Sequence, residues 1–286
     1  MMPTQASNPV SSANAGSARA GGSGLAGDAK HVVLTGAEGV PVQAGVVDVG
    51  TGTPVVFLHG LVGLNDHWEG VAAGVQHRCR CIMLELPLLD LTGEDCSIQG
   101  ATELTARFLR SYLPAESAVL VGNSFGGHVA TKLAIEHPSL VRGLVLAGAS
   151  GLIEKSMVSD VQIKPSREWL ERKIGELFFD KSKMNQADVD RAFKELSDRD
   201  HARAMVRLSR TARRNHLGDQ IHLIAAPTLI IWGKQDIVTP PEACDQFHRK
   251  IRDSRVVWIE NCGHAPMIEA DGVFARSLND FLDGLK

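Results

Sequence analysis

One serine, one aspartate and one histidine, far apart in the chain, each stand just past a short apolar run, and together they are the parts of a nucleophilic site. Ser124 lies in Gly122-Asn123-Ser124-Phe125-Gly126, fed by the apolar run 118–121 and followed by a helix-forming run at 128–134. This is the G-x-S-x-G pattern in its strand, turn, helix context. A serine at so sharp a turn sits in a strained backbone conformation, so the residues two away on either side must be nearly free of side chain. Its oxygen then stands clear of the sheet at a helix N-terminus, where amide N–H groups favour a developing oxyanion. A serine hydroxyl is a poor nucleophile at neutral pH and needs a base. A histidine base in turn needs an acid to fix its tautomer and stabilise its cation. Trp232-Gly233-Lys234-Gln235-Asp236 supplies the acid, and Asn261-Cys262-Gly263-His264 supplies the base.

The positioning elements follow from hydropathy. Short apolar strands alternate with amphipathic helices from Val32 onward, the mark of an α/β fold. Strands are expected at 32–34, 42–49, 54–58, 81–84, 118–121, 141–147, 227–232 and 256–259. Ala101, Leu104 and Phe108, spaced by three and four, predict the buried face of a helix. Thr239-Pro240-Pro241-Glu242 predicts a helix with Thr239 as N-cap, proline at its first position and a capping box. Residues 273–282 predict the closing helix, with Phe274, Leu278 and Phe281 inward. In a parallel sheet the loops after the strand C-termini gather at one edge, so Ser124, Asp236 and His264 can meet there.

The alternation breaks at 151–219, which is charged and predicts three helices, at 166–179, 186–196 and 201–215. An all-helical insertion between two strands reads as a cap over the site. The resulting division is a tail at 1–30, a core at 31–150 and 220–286, and a cap at 151–219. The tail is rich in Ser, Ala, Gly and Asn, which predicts disorder. It has no charged region followed by an apolar core, so it does not read as a signal peptide.

A net charge of −3 over 286 residues gives no bulk attraction for nucleic acid. No apolar run reaches the roughly 18 residues of a membrane span, and a cytoplasmic enzyme acting on a small molecule is expected. Five cysteines, an odd and scattered set, read as free thiols. Cys79 and Cys81 face one side of a strand without a second ligand pair, so no metal is expected, and the chemistry requires no cofactor. A homodimer is left open.

From about Val42 to its end the chain resembles an α/β-hydrolase-fold serine hydrolase. The elbow, His59-Gly60, Trp232-Gly233-x-x-Asp236 and Gly263-His264 occur in that family's order, and Ser before Asp before His is its chain order. The resemblance implies a mostly parallel eight-stranded sheet with helices on both faces, a helical cap after the sixth strand, and an oxyanion hole from the backbone N–H groups of Leu61 and Phe125. Competing readings remain at each position. Ser124 can be a helix-capping serine, and Glu154 can be the acid. His59 reads as a shaper of the oxyanion loop and His128 as outward-facing.

The cap segment around Arg191, with Asn123 and Phe125 flanking the serine, is similar to the meta-cleavage-product hydrolases, which cut carbon–carbon bonds and use a cap arginine. Asn123 and Arg191 are therefore candidate substrate contacts. Arg203, Arg207, Arg210 and Arg214 form a helical stripe that reads chiefly as a solvated face. Three departures favour an ester over a carbon–carbon bond: Ala265-Pro266 in place of a tryptophan after the histidine, His59-Gly60-Leu61-Val62-Gly63 as the oxyanion loop, and Glu85-Leu86-Pro87-Leu88-Leu89-Asp90 after the fourth strand. The expected enzyme is a serine esterase for a small, fairly apolar ester. A carbon–carbon hydrolase and a non-catalytic ligand-binding protein are the alternatives.

Overall fold

Apolar runs that cannot be shared with water become the centre of the sheet. In the computed structural model, which describes residues 29–154 and 165–285, β3 (Pro54–Leu58), β5 (Ala118–Asn123) and β7 (Thr228–Gly233) are buried at every residue. β6 (Val141–Ala147) is buried at all but Arg142. Such continuous burial belongs to parallel strands covered on both faces. Around them lie β1 (Lys30–Thr35), β2 (Pro41–Val49), β4 (Arg80–Glu85) and β8 (Ser254–Ile259). The eight strands form one sheet in the order β1-β2-β4-β3-β5-β6-β7-β8. β2 runs antiparallel to β1 and to β4, and every other pairing is parallel. The expected α/β fold with a mostly parallel eight-stranded sheet is what forms.

One face of the sheet packs α2 (Ile98–Tyr112), α3 (Phe125–Glu136) and α7 (Pro241–Lys250), through Leu104, Phe108, Val129 and Phe247. The other packs α1 (Glu69–Val75) and α9 (Asp271–Gly284), which follows the short α8 (Pro266–Glu269), through Val71, Phe274 and Leu278. The inward residues expected for α2 and α9 are all buried. The stretch between β6 and β7 carries α4 (Arg167–Gly175), α5 (Gln186–Ser197) and α6 (Arg199–Arg214). α6 begins before the expected His201 because Asp198 caps it, accepting from the N–H groups of Asp200 and His201. Residues 1–28 and 155–164, most of the expected tail and part of the expected cap, lie outside the described residues. All five cysteines are buried free thiols, and the Sγ atoms of Cys79 and Cys81 are 3.7 Å apart.

Parallel register brings the site residues together. Asn123 on β5 pairs with Ala147 on β6, Ala147 with Ile231 on β7, and Ile231 with Val257 on β8. Ser124, the Asp236 loop and the His264 loop therefore all leave from the same rim of the sheet.

Candidate active site

Ser124 has φ 52° and ψ −118°, a conformation that costs a non-glycine residue about 1–3 kcal/mol and persists only where its surroundings over-determine it. Here Ser124 N–H donates to Ala147 O at 3.2 Å, and Ser124 O accepts from His128 N–H and Ser150 N–H at 3.0 Å each. The glycines are required by space. A Cβ on Gly122 would lie 2.4 Å from Gly126 O, and one on Gly126 would lie 2.3 Å from Leu58 O. The strand, sharp turn and helix expected around 122–126 are present.

Asp236 and His264 form a buried pair, with His264 Nδ1 at 2.8 Å from Asp236 Oδ2. A nitrogen facing a carboxylate carries the proton, which leaves Nε2 with the lone pair. Three more donors converge on the aspartate. Val238 N–H and Thr239 N–H donate to Oδ1 at 2.8 and 2.9 Å, and the Thr239 hydroxyl donates to Oδ2 at 2.8 Å. That hydroxyl also lies 3.1 Å from His264 Nδ1. Thr239 is thus committed to the aspartate and does not cap α7, whose N-cap is Pro240 without a side-chain bond. Glu154, the rival acid, accepts from Gly151 N–H at 3.0 Å.

Ser124 and His264 line one largely apolar cavity of about 220 Å³ together with Leu61, Phe125, Asn123 and Glu154. Phe125 opens α3, so its N–H has no partner within the helix. His59 Nδ1 donates to Gly60 O at 2.7 Å, within the loop that carries Leu61. Burial pushes the His59 imidazole below its usual pKa, keeping it neutral. Asn123 spends both amide hydrogens on the backbone, to Ala147 O at 2.9 Å and to His264 O at 3.0 Å. It braces the elbow strand against the histidine loop.

Arg191 stands elsewhere than its candidate role requires. It is not among the cavity-lining residues. Its guanidinium pairs with Asp188 at 3.0 Å and with Asp66 at 3.5 Å. Asp188 in turn meets His67 Nε2 at 3.2 Å, and both of those side chains do line the cavity. Burial raises the Asp188 carboxyl, but the His67 hydrogen bond and the charges of His67 and Arg191 outweigh it and hold the group below its usual value. Arg203, Arg207, Arg210 and Arg214 are all exposed, the solvated face expected.

His128 is the clear reversal. It is fully buried, not outward-facing, with Nε2 at 3.2 Å from Asn215 Oδ1. Burial pushes its pKa down to about 4. Among the described residues one group has metal-ligand spacing, Glu103, Glu136 and His137. It lies outside the cavity and is engaged in pairs with Lys132 and Arg110.

Sequence reasoning missed three contributors. The Thr239 hydroxyl had a legible signal, since an aspartate that accepts from residues two and three ahead is a common turn. Glu269, which accepts from Gly263 N–H at 2.7 Å, and the His67–Asp188 pair carried none.

The sequence matches the model of the alpha/beta hydrolase family over residues 55–276. The chain belongs to that family. It is an enzyme of the α/β-hydrolase fold. It is 26% identical over 255 residues to a 2-hydroxy-6-oxo-6-(2'-aminophenyl)hexa-2,4-dienoic acid hydrolase of Metapseudomonas resinovorans, covering 84% of this chain and 88% of that one. It is 28% identical over 264 residues to monoacylglycerol lipase abhd6-A of Xenopus laevis, covering 83% and 77%. Among solved structures, a serine hydrolase involved in carbazole degradation superposes with a TM-score of 0.76 at 25% identity, covering 90% of this chain and 99% of that chain. No helix among the described residues is long and apolar enough to cross a membrane.

Proposed function

We propose that the protein is a serine hydrolase that cleaves a small, fairly apolar carboxylic ester through an acyl-enzyme. The observation that carries this is the strained Ser124 sharing one cavity with a histidine whose Nδ1 is bound to a buried aspartate. Ser124 Oγ attacks the carbonyl carbon as His264 Nε2 takes its proton, and Asp236 stabilises the imidazolium that results. The Leu61 and Phe125 amides hold the oxyanion, each donor lowering the barrier by about 2.7–4 kcal/mol. His264 then returns the proton to the departing alkoxide. Water, activated by the same ring, releases the acid and restores Ser124.

An ester is favoured over a dienone carboxylate because the cap arginine is already paired with Asp188 and Asp66 and does not line the cavity. The wall carries the Glu154 and Asp188 carboxylates as well as the cations Lys173 and Arg213. At about 220 Å³ the cavity lies below the roughly 300–1,000 Å³ common for drug-sized ligands, which suits a short acyl group. The carbon–carbon reading retains support from the dienoic acid hydrolase among the relatives. A fluorophosphonate should label Ser124 alone, as peptide mapping would show, and Ser124→Ala should abolish both labelling and turnover. A graded series of p-nitrophenyl esters set beside a dienone carboxylate separates the two substrates. Labelling at any other residue refutes the mechanism, and turnover of the dienone without the esters overturns the ester.

A further inference from the structure

The loop that carries His264 is tied on one side to the Asp236 loop, where Gln235 N–H donates to Cys262 O at 3.0 Å. On its other side it is tied to the cap. His264 N–H donates to Leu177 O at 2.7 Å. Gly263 N–H donates to Glu269 Oε1 at 2.7 Å, and the second oxygen of the same carboxylate accepts from Phe179 N–H at 2.9 Å and Asp180 N–H at 3.0 Å. One carboxylate thus gathers three backbone donors, one from the histidine loop and two from the chain just past α4. Bonds to a charged acceptor are about twice as strong as neutral ones. Gly263 is what admits the cap chain, since a Cβ there would lie 2.7 Å from Leu177 O and 2.8 Å from Phe179 N. Leu177 and Phe178 face the cavity beside Ser124, whereas Glu269 does not line it.

Resting on the serine-hydrolase reading, we propose that Glu269 is a positioning residue that fastens cap residues 177–180 to the His264 loop. The cavity wall and the base then move as one piece, and an acyl group lodged against Leu177 and Phe178 bears on where the imidazole stands. Glu269 touches no reacting atom and acts only through Gly263 and its neighbour His264.

The test uses Glu269→Gln, which keeps one acceptor oxygen and loses the charge, and Glu269→Ala, which keeps none. Turnover of p-nitrophenyl butyrate is expressed per Ser124 labelled to completion with fluorophosphonate, so that misfolded protein is not counted. Loosening the base by up to about 1 Å should lower kcat per labelled site about tenfold in the Gln variant and about 100-fold in the Ala variant, with KM within about threefold. A purely structural role would reduce the labelled fraction and leave kcat per labelled site unchanged, and that result overturns the proposal. Should the Ala variant not fold, hydrogen exchange in the parent protein decides. The Gly263, Phe179 and Asp180 amides should exchange slowly and through one common opening, and independent exchange sinks the clip. Absence of Ser124 labelling in the parent refutes the serine reading itself, whereas labelling with unaltered turnover in both variants refutes Glu269 alone.

Discussion

Gly263→Ala turns the packing around the histidine loop into a measurable displacement. The added Cβ would lie 2.7 Å from Leu177 O and 2.8 Å from Phe179 N. Both are backbone atoms and cannot rotate away. Ordinary carbon contacts begin near 3.4 Å, so the gap has to open by about 0.7 Å. If the cap chain and the loop share that movement, His264 shifts by roughly 0.3–0.4 Å. A misplacement of about 1 Å costs about 10²-fold in rate. On a logarithmic scale kcat then falls about fivefold, or about 25-fold if the loop absorbs the whole shift. Overpacking of this kind also costs about 1–3 kcal/mol of stability, so the melting temperature should drop by roughly 2–6 °C. Stopped-flow turnover of p-nitrophenyl butyrate and calorimetry read the two effects together. A kcat within twofold of the parent, in a variant whose melting temperature has fallen, would show that the cap chain alone gives way and that the base does not depend on it.

Other substitutions probe the same geometry. Thr239→Val removes the hydroxyl donor 2.8 Å from Asp236. A bond to a charged group contributes about 1.5–3 kcal/mol, so the melting temperature should fall by roughly 3–6 °C, and an unmoved melting curve argues that the hydroxyl is not bonded. Arg191→Gln should leave KM for a neutral ester within about threefold, since the guanidinium is spent on Asp188 and Asp66. A tenfold rise would mean that the guanidinium meets substrate. His128 makes stability depend on acid. Its folded pKa of about 4 lies below the ordinary histidine value of 6.5, so between those values the unfolded chain binds the proton and the folded one does not. Stability is then complete above about pH 6.5 and decreases by up to about 3 kcal/mol as pH falls to about 4. Urea midpoints at pH 7.5 and pH 5 should differ less in His128→Gln, and an equal slope in both proteins would rule His128 out.

Elements whose logic is local were legible. β3 matches its apolar run, residues 54–58, end for end, because a strand buried on both faces tolerates no polar interruption. Ser124 was legible because its strain needs glycine at 122 and 126, and both are there. His128 misled because α3 is buried along residues 125–134 without a break. A helix enclosed on every side has no outer face for periodicity to reveal. Its histidine rides inside on a distant partner, His128 on Asn215, while Lys132 pairs one turn along the same helix with Glu136. The Glu269 contacts with Phe179 and Asp180 span 90 and 89 positions, and no spacing rule reaches that far.

The two halves of the proposed site are therefore held in different ways. Ser124 is locked by its own backbone, through a strained φ, three main-chain hydrogen bonds and two glycines that exclude any other path. His264 has no such strain. The one left-handed residue of its loop, Asn261 at φ 52°, is a type that tolerates that region. Its placement comes from outside the loop: from Asp236, from the Asn123 amide on its carbonyl, and from Leu177 on its N–H. Leu177 belongs to the stretch between β6 and β7, the stretch that also shapes the cavity. In the proposed hydrolase, a nucleophile fixed by the sheet and a base held partly by the segment between β6 and β7 divide the labour of the site. On that reading, changes in this segment that alter which substrate fits should also alter how fast it is cut.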